Sequence, residues 1–186
     1  MIFIAGDIRL FDAAAAKKVG CSIEEYNEMV MTNWNKVVGE EDMVVLLGEV
    51  SDGKFEETKI FFSKLNGNEF IYLNDNERTK AAHFTKNQFK EMGIQELCIH
   101  SVIYGDVQGN NQRIYVLSWD NKEMKNDFYC VSTTSVIGKE KNFGNSVLNA
   151  DVSLWGYAPL KSTDVGKLIT NCIEFENLEV ENCEKE

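Results

Sequence analysis

Three short apolar runs, each ending in a polar cluster and separated by helical patterns, constrain this chain more than any other feature. Ile2–Ala5 ends at Gly6-Asp7, Met43–Leu47 at Gly48-Glu49, and Glu69–Leu73 at Asn74-Asp75-Asn76-Glu77. Runs this short and apolar suit strands covered on both faces. Between the first two, Ser22-x-x-Glu25 is a capping box that opens a helix. Behind it Ile23, Tyr26, Met29, Val30, Trp34, Val37 and Val38 recur at three- and four-residue spacing, which predicts one buried face stopped by Gly39. A second helix is predicted over 55–65, with Phe55, Ile60, Phe61 and Leu65 as core contacts, followed by an Asn66-Gly67 turn. A third runs from the Thr85-x-x-Gln88 box to Met92 and is capped by Gly93. Strand and helix in alternation imply a parallel sheet with helices packed on it.

The second half changes character. Leu97–Tyr104, Arg113–Leu117, Phe128–Val131 and Val147–Val152 are strand-like, with turns expected at Gly105-Asp106 and at Gly109-Asn110-Asn111. They read as a meander. Ser162–Cys172 reads as a last helix with Asp164 in its first turn. There is no internal repeat or Pro/Ser-rich linker, and Pro159 is the only proline. With 186 residues the expectation is one domain over 1–173, α/β in the α+β sense, with mixed sheets in several layers. An acidic tail over 174–186, with six Glu and one Lys, reads as a solvated end.

Thirty acidic residues against nineteen basic ones give a net charge of −11. That balance argues against a general nucleic-acid or anionic-membrane binder, because both need a cationic surface. No apolar run approaches the roughly 20 residues that span a bilayer. The five cysteines, Cys21, Cys98, Cys130, Cys172 and Cys183, form no C-x-x-C pair, which argues against a disulfide framework or a thiolate zinc site. The expected location is cytoplasmic, with reduced thiols.

Loops beyond the carboxyl ends of strands in an α/β sheet gather at one edge and build the site. Asp7, Glu49, Asp75 and Glu77 would therefore lie near one another, an oxygen set suited to Mg²⁺ or Mn²⁺. The alternative is a set of ordinary solvated loop carboxylates.

These clusters and their flanks resemble the calcineurin-like metallophosphoesterases, in particular their small bacterial and phage members. Gly6-Asp7, Gly48-Glu49 and Asn74-Asp75-Asn76-Glu77 fall where that family carries D-x-H, G-D and G-N-H-D. Glu24–Val38, Asp42–Gly48, Leu65-Asn66-Gly67, Phe89–Leu97 and Leu148–Leu160 look like the family's framework, so the resemblance covers nearly the whole chain. It implies a multi-layer sandwich of mixed β-sheets flanked by helices. In the family a metal-bridging hydroxide attacks phosphorus at two ions held by Asp, Asn and several His.

Carried over by position, Asp7, Glu49 and Asp75 are the metal-ligand positions. Arg9 and Asn76 stand where catalytic-site histidines would be. The family's lone histidine falls at Trp119, and the two of its G-H-x-H at Thr133 and Ser135. The chain's own histidines, His83 and His100, fit no motif position. Hydroxyls ligate such metals poorly and an indole not at all. Arg9 is a permanent cation within reach of a metal position, so its guanidinium is expected to replace the metal charge by pairing with Asp7, Glu49 or Asp75.

The resemblance thus implies a degenerate phosphoesterase that needs no cofactor and works by binding a protein partner or a phosphorylated small ligand. The alternative is an active enzyme with a carboxylate-based Mg²⁺ or Mn²⁺ site in which Arg9 clamps a phosphate. Trp34, Phe61, Phe62 and Phe89 are expected in the core, and Trp119 as a strand residue that plugs the old site. The polar stretch Lys139–Asn145 reads as a solvated loop, and Cys130 as a strand residue with no histidine to activate it.

Overall fold

In the computed structural model, β1 (Ile2–Gly6), β2 (Met43–Leu47), β3 (Glu69–Leu73) and β4 (Ile94–Leu97) lie side by side, all parallel. Residues 1–73, 84–97, 101–108, 111–118, 129–132 and 147–165 are described. β9 (Leu160–Lys161) adds an antiparallel edge against β1, so the sheet order is β4-β3-β2-β1-β9. The inner strands read as apolar runs because both faces are covered: Phe3, Ile4 and Ala5 of β1 and Val44–Leu47 of β2 are buried.

Helices α1 (Ala13–Val19) and α2 (Ile23–Val37) connect β1 to β2, α3 (Phe55–Phe62) connects β2 to β3, and α4 (Lys86–Glu91) precedes β4. The Ser22 box forms as expected: the Glu25 N–H donates to Ser22 Oγ at 3.2 Å and the Ser22 N–H to Glu25 Oε2 at 2.8 Å. Thr85 and Gln88 build the equivalent box on α4. α1 was not expected. Its run of alanines has the highest helix propensity, Asp12 caps it through the N–H groups of Ala14 and Ala15, and Gly20 at φ +83° ends it.

Tyr26, Val30, Trp34 and Val38 are buried from the α2 side, and Trp34 is wholly enclosed. Its indole N–H donates to the Asn66 carbonyl at 2.9 Å, and its ring stacks on Phe70 at 6.2 Å. A Cβ on Gly67 would meet the Phe70 ring at 2.8 Å, and Gly67 sits at φ +144°, so the turn needs glycine. Phe61, Phe62 and Phe89 are also core residues. Two expected core positions are not: Val37 is the last helical residue and is exposed, and Ile60 is 57% exposed. Thr58 takes the inward stripe with Phe61, Phe62 and Leu65, its hydroxyl bonded to Ser51 at 2.8 Å, and this leaves Ile60 outside. α3 also ends at Phe62, short of Leu65.

A second sheet has the order β5 (Ser101–Gln108), β6 (Asn111–Ser118), β7 (Tyr129–Ser132), β8 (Val147–Asn149). It is not a simple meander. β5 and β6 are antiparallel, but β6–β7 and β7–β8 are parallel. No turn occurs at Gly105-Asp106, where both residues continue β5 and pair with Ile114 and Arg113. β4 and β9 were not foreseen either. The expected last helix begins with a 3₁₀ turn at Ser162–Asp164, and its remainder lies outside the described residues. No helix among the described residues is long and apolar enough to cross a membrane. The molecule is thus a mixed α/β fold with helices flanking a largely parallel five-stranded sheet.

Candidate functional site: an arginine ringed by carboxylates

The chain leaves β1 along the margin of β2. Asp7 N–H donates to the Leu47 carbonyl, Arg9 N–H to Glu49, Leu10 N–H to Val50, and Asp52 N–H returns to Leu10, at 2.9–3.2 Å. To hold this course while turning alternate side chains inward, Asp7, Arg9 and Phe11 adopt φ of +45°, +45° and +59°. Such left-handed conformations in non-glycine residues cost about 1–2 kcal/mol each and persist only when surroundings over-determine them. Here Asp7 Oδ1 accepts the Glu49 N–H at 2.8 Å, and the Tyr26 hydroxyl donates to the Ile8 carbonyl at 3.2 Å. Asn27 Oδ1 accepts the Phe11 N–H at 2.9 Å, and Ile8 and Leu10 are sunk in the core.

Arg9 is the centre of the site. Its Nε donates to Glu49 Oε2 at 3.0 Å, its Nη1 to Asp151 Oδ2 at 3.1 Å, and its Nη2 lies 3.3 Å from Asp7 Oδ2. The last is an ionic contact without hydrogen-bond alignment, and both atoms are buried with no other partner. Asp7 and Asp151 are almost fully enclosed, whereas Glu49 is open to water.

Asp151 is the residue that sequence reasoning missed. It follows β8, where Gly6 N–H donates to the Ala150 carbonyl at 2.9 Å and ties this segment to the end of β1. Its own N–H bonds Asn149 Oδ1, and its Oδ1 accepts from the Ser153 N–H, so the carboxylate is fixed before it meets Arg9. The one available signal was an acid at the end of another apolar run, as at Gly6-Asp7 and Gly48-Glu49.

The electrostatics follow from burial. Asp7 is pushed up to about 7, chiefly by desolvation, with Asp151 and Glu49 adding repulsion that Arg9 and the Glu49 N–H only partly offset. Burial pulls the Arg9 guanidinium down, but the Asp7 and Asp151 carboxylates outweigh it and hold it above its ordinary value. Burial, then neighbouring charge, raises the phenol of Tyr26, and Tyr72 behaves likewise, so both stay neutral. A cavity of about 310 Å³ opens beside Arg9 between Tyr26, Tyr157, Lys18 and Ser153.

Of the residues expected at the site, Asp7, Glu49 and Arg9 come together as the sequence implied. Asp75, Asn76, Glu77, Trp119, Thr133 and Ser135 lie outside the described residues, as do His83 and His100. Among the described residues a permanent cation, the Arg9 guanidinium, occupies the point where the Asp7, Glu49 and Asp151 carboxylates converge. Among them no group of three or more His, Cys, Asp or Glu is arranged to hold an ion.

The fold and site define a mixed α/β protein with a buried arginine–carboxylate cluster at the strand ends. No protein-family model matches the chain, and no curated protein matches it. Among solved structures it is similar to the crystal structure of the protein of unknown function AQ665 from Aquifex aeolicus. The two share 16% identity over 90% of this chain and 98% of that one, with a TM-score of 0.63. At that identity the likeness is one of fold.

Proposed function

We propose that this chain is a degenerate metallophosphoesterase-like protein, built as that family's sandwich, in which Arg9 replaces metal charge and function rests on binding. The observation that carries this reading is the triple contact of one guanidinium with Asp7, Glu49 and Asp151. Support also comes from the placement of Gly6-Asp7 and Gly48-Glu49 at the ends of adjacent parallel strands, with the Asn74–Glu77 cluster following the next strand in order. Arg9 already directs its donors at carboxylates, and three acids surround one base. An incoming phosphate would meet repulsion there rather than a free clamp. Between the two kinds of ligand, this favours a protein partner over a phosphorylated small molecule.

Calorimetric titration of the metal-free protein with Mn²⁺, run beside hydrolysis of bis(p-nitrophenyl) phosphate, tests the proposal. The expected result is no saturable ion binding and no turnover. Tight binding of one ion, or turnover that disappears in Asp7→Ala, would overturn it in favour of an enzyme with a carboxylate-held Mg²⁺ or Mn²⁺.

A further inference from the structure

An apolar groove of about 370 Å³ lies between α2, α3 and Phe11. Its floor is Phe11, Met31, Phe61 and Ile60. Phe11 stands edge-on to Phe61 at 6.1 Å, and Ile60 is the 57% exposed side chain displaced from the core stripe by Thr58. Met31 is half-buried and supplies an adaptable thioether surface. The rim is acidic: Glu24 and Glu28 from α2 face Glu57 from α3, with Lys64 as the single lysine. Glu24 and Glu28 sit one turn apart on α2, so their carboxylates line the same side of the groove. No described ion pair involves any of the three glutamates.

The geometry points to a docking site for a cationic amphipathic helix of another protein, with one or two apolar side chains in the groove and lysine or arginine against the rim. The charge around the groove selects this occupant. The chain's own 174–186 segment carries six glutamates and would be repelled by the rim. A second copy carries a net charge of −11 and meets the same objection. An apolar floor with acidic walls is the complement of a basic helix laid in a groove. This inference does not depend on whether the Arg9 cluster binds metal.

The test is fluorescence anisotropy of the full chain with a labelled helical peptide of about five turns, leucine on one face and lysine elsewhere. A peptide of equal charge, in which serine replaces leucine, serves as control. The expected result is saturable binding that weakens with salt, at least about tenfold weaker in Ile60→Glu and in Glu28→Lys, and absent for the serine peptide. Ile60 and Glu28 are both exposed, so these variants should keep the fold. Equal binding of both peptides would reduce the effect to bulk charge and overturn the inference. So would unchanged affinity in Ile60→Glu, or no saturation with the leucine peptide. Sedimentation that shows concentration-dependent dimers, lost in Ile60→Glu, would assign the groove to a second copy instead.

Discussion

Arg9 Nη1 donates to Asp151 Oδ2 at 3.1 Å, a buried bond between residues 142 positions apart. It joins the loop after the first strand to the segment after the eighth, and with the Gly6–Ala150 bond it ties that segment to the end of β1.

Removing the guanidinium leaves two enclosed carboxylates facing each other. Arg9→Ala is expected to cost about 3–5 kcal/mol, the range for breaking a buried pair from one side. Arg9→Lys should recover little of it, because one ammonium cannot address three carboxylates along three edges. Urea unfolding of the three proteins side by side checks both statements.

Arg9→Ala should gain a site for Mn²⁺. With Arg9 gone, Asp7, Glu49 and Asp151 present uncompensated oxygens to the space it held. Mn²⁺ should then bind Arg9→Ala and raise its melting temperature in a concentration-dependent way, with no such shift in the parent. An equal shift in both proteins would mean that the guanidinium is not standing in for metal charge.

Asp7 makes stability depend on pH with a definite sign. Its folded pKa of about 7 lies above the ordinary value of 3.8, so the native state holds an extra proton between those limits. Stability should therefore fall as pH rises from about 4 to about 7 and level off above, because over that window the native group is protonated and the unfolded one is not. Asp7→Asn should flatten that slope. Urea midpoints for both proteins at pH about 5 and about 8 decide it.

Trp34 separates packing from hydrogen bonding in the core. Trp34→Phe keeps a ring against Phe70 but strands the Asn66 carbonyl, at about 1–3 kcal/mol. Trp34→Ala empties a fully enclosed site at about 3–5 kcal/mol. Thermal denaturation should rank them in that order.

What could be read from the sequence was local. Ser22 and Glu25 are three residues apart and satisfy each other's backbone, so their signal needs no tertiary context. Met43–Leu47 and Glu69–Leu73 carry their burial in their composition, and both strands form with the expected bounds. What was missed depends on distant partners. Ile94–Leu97 is half polar and is a strand because β3 pairs with it. Gly105-Asp106 looks like a turn but continues β5 because β6 lies opposite. Ile60 has the right spacing for a buried face, and only Ser51 bonding to Thr58 shows which stripe turns inward. Asp7, Arg9 and Glu49 could be read as a site because they end neighbouring strands, whereas Asp151 joins them from the second half of the chain, where an acid after an apolar run was the one local mark.

The long reach of the Arg9–Asp151 bond also fixes the order in which the protein can be completed during synthesis. At about 5–20 residues per second, Arg9 emerges on the order of ten seconds before its second buried acid exists. Until then, of the three described carboxylates around it, Asp7 and Glu49 alone have been made, and β9 has yet to dock on the β1 edge. Nascent chains halted short of Asp151 are therefore the forms that chaperones and proteases should meet with an open flank, and those carried past Leu160 are the first able to close it.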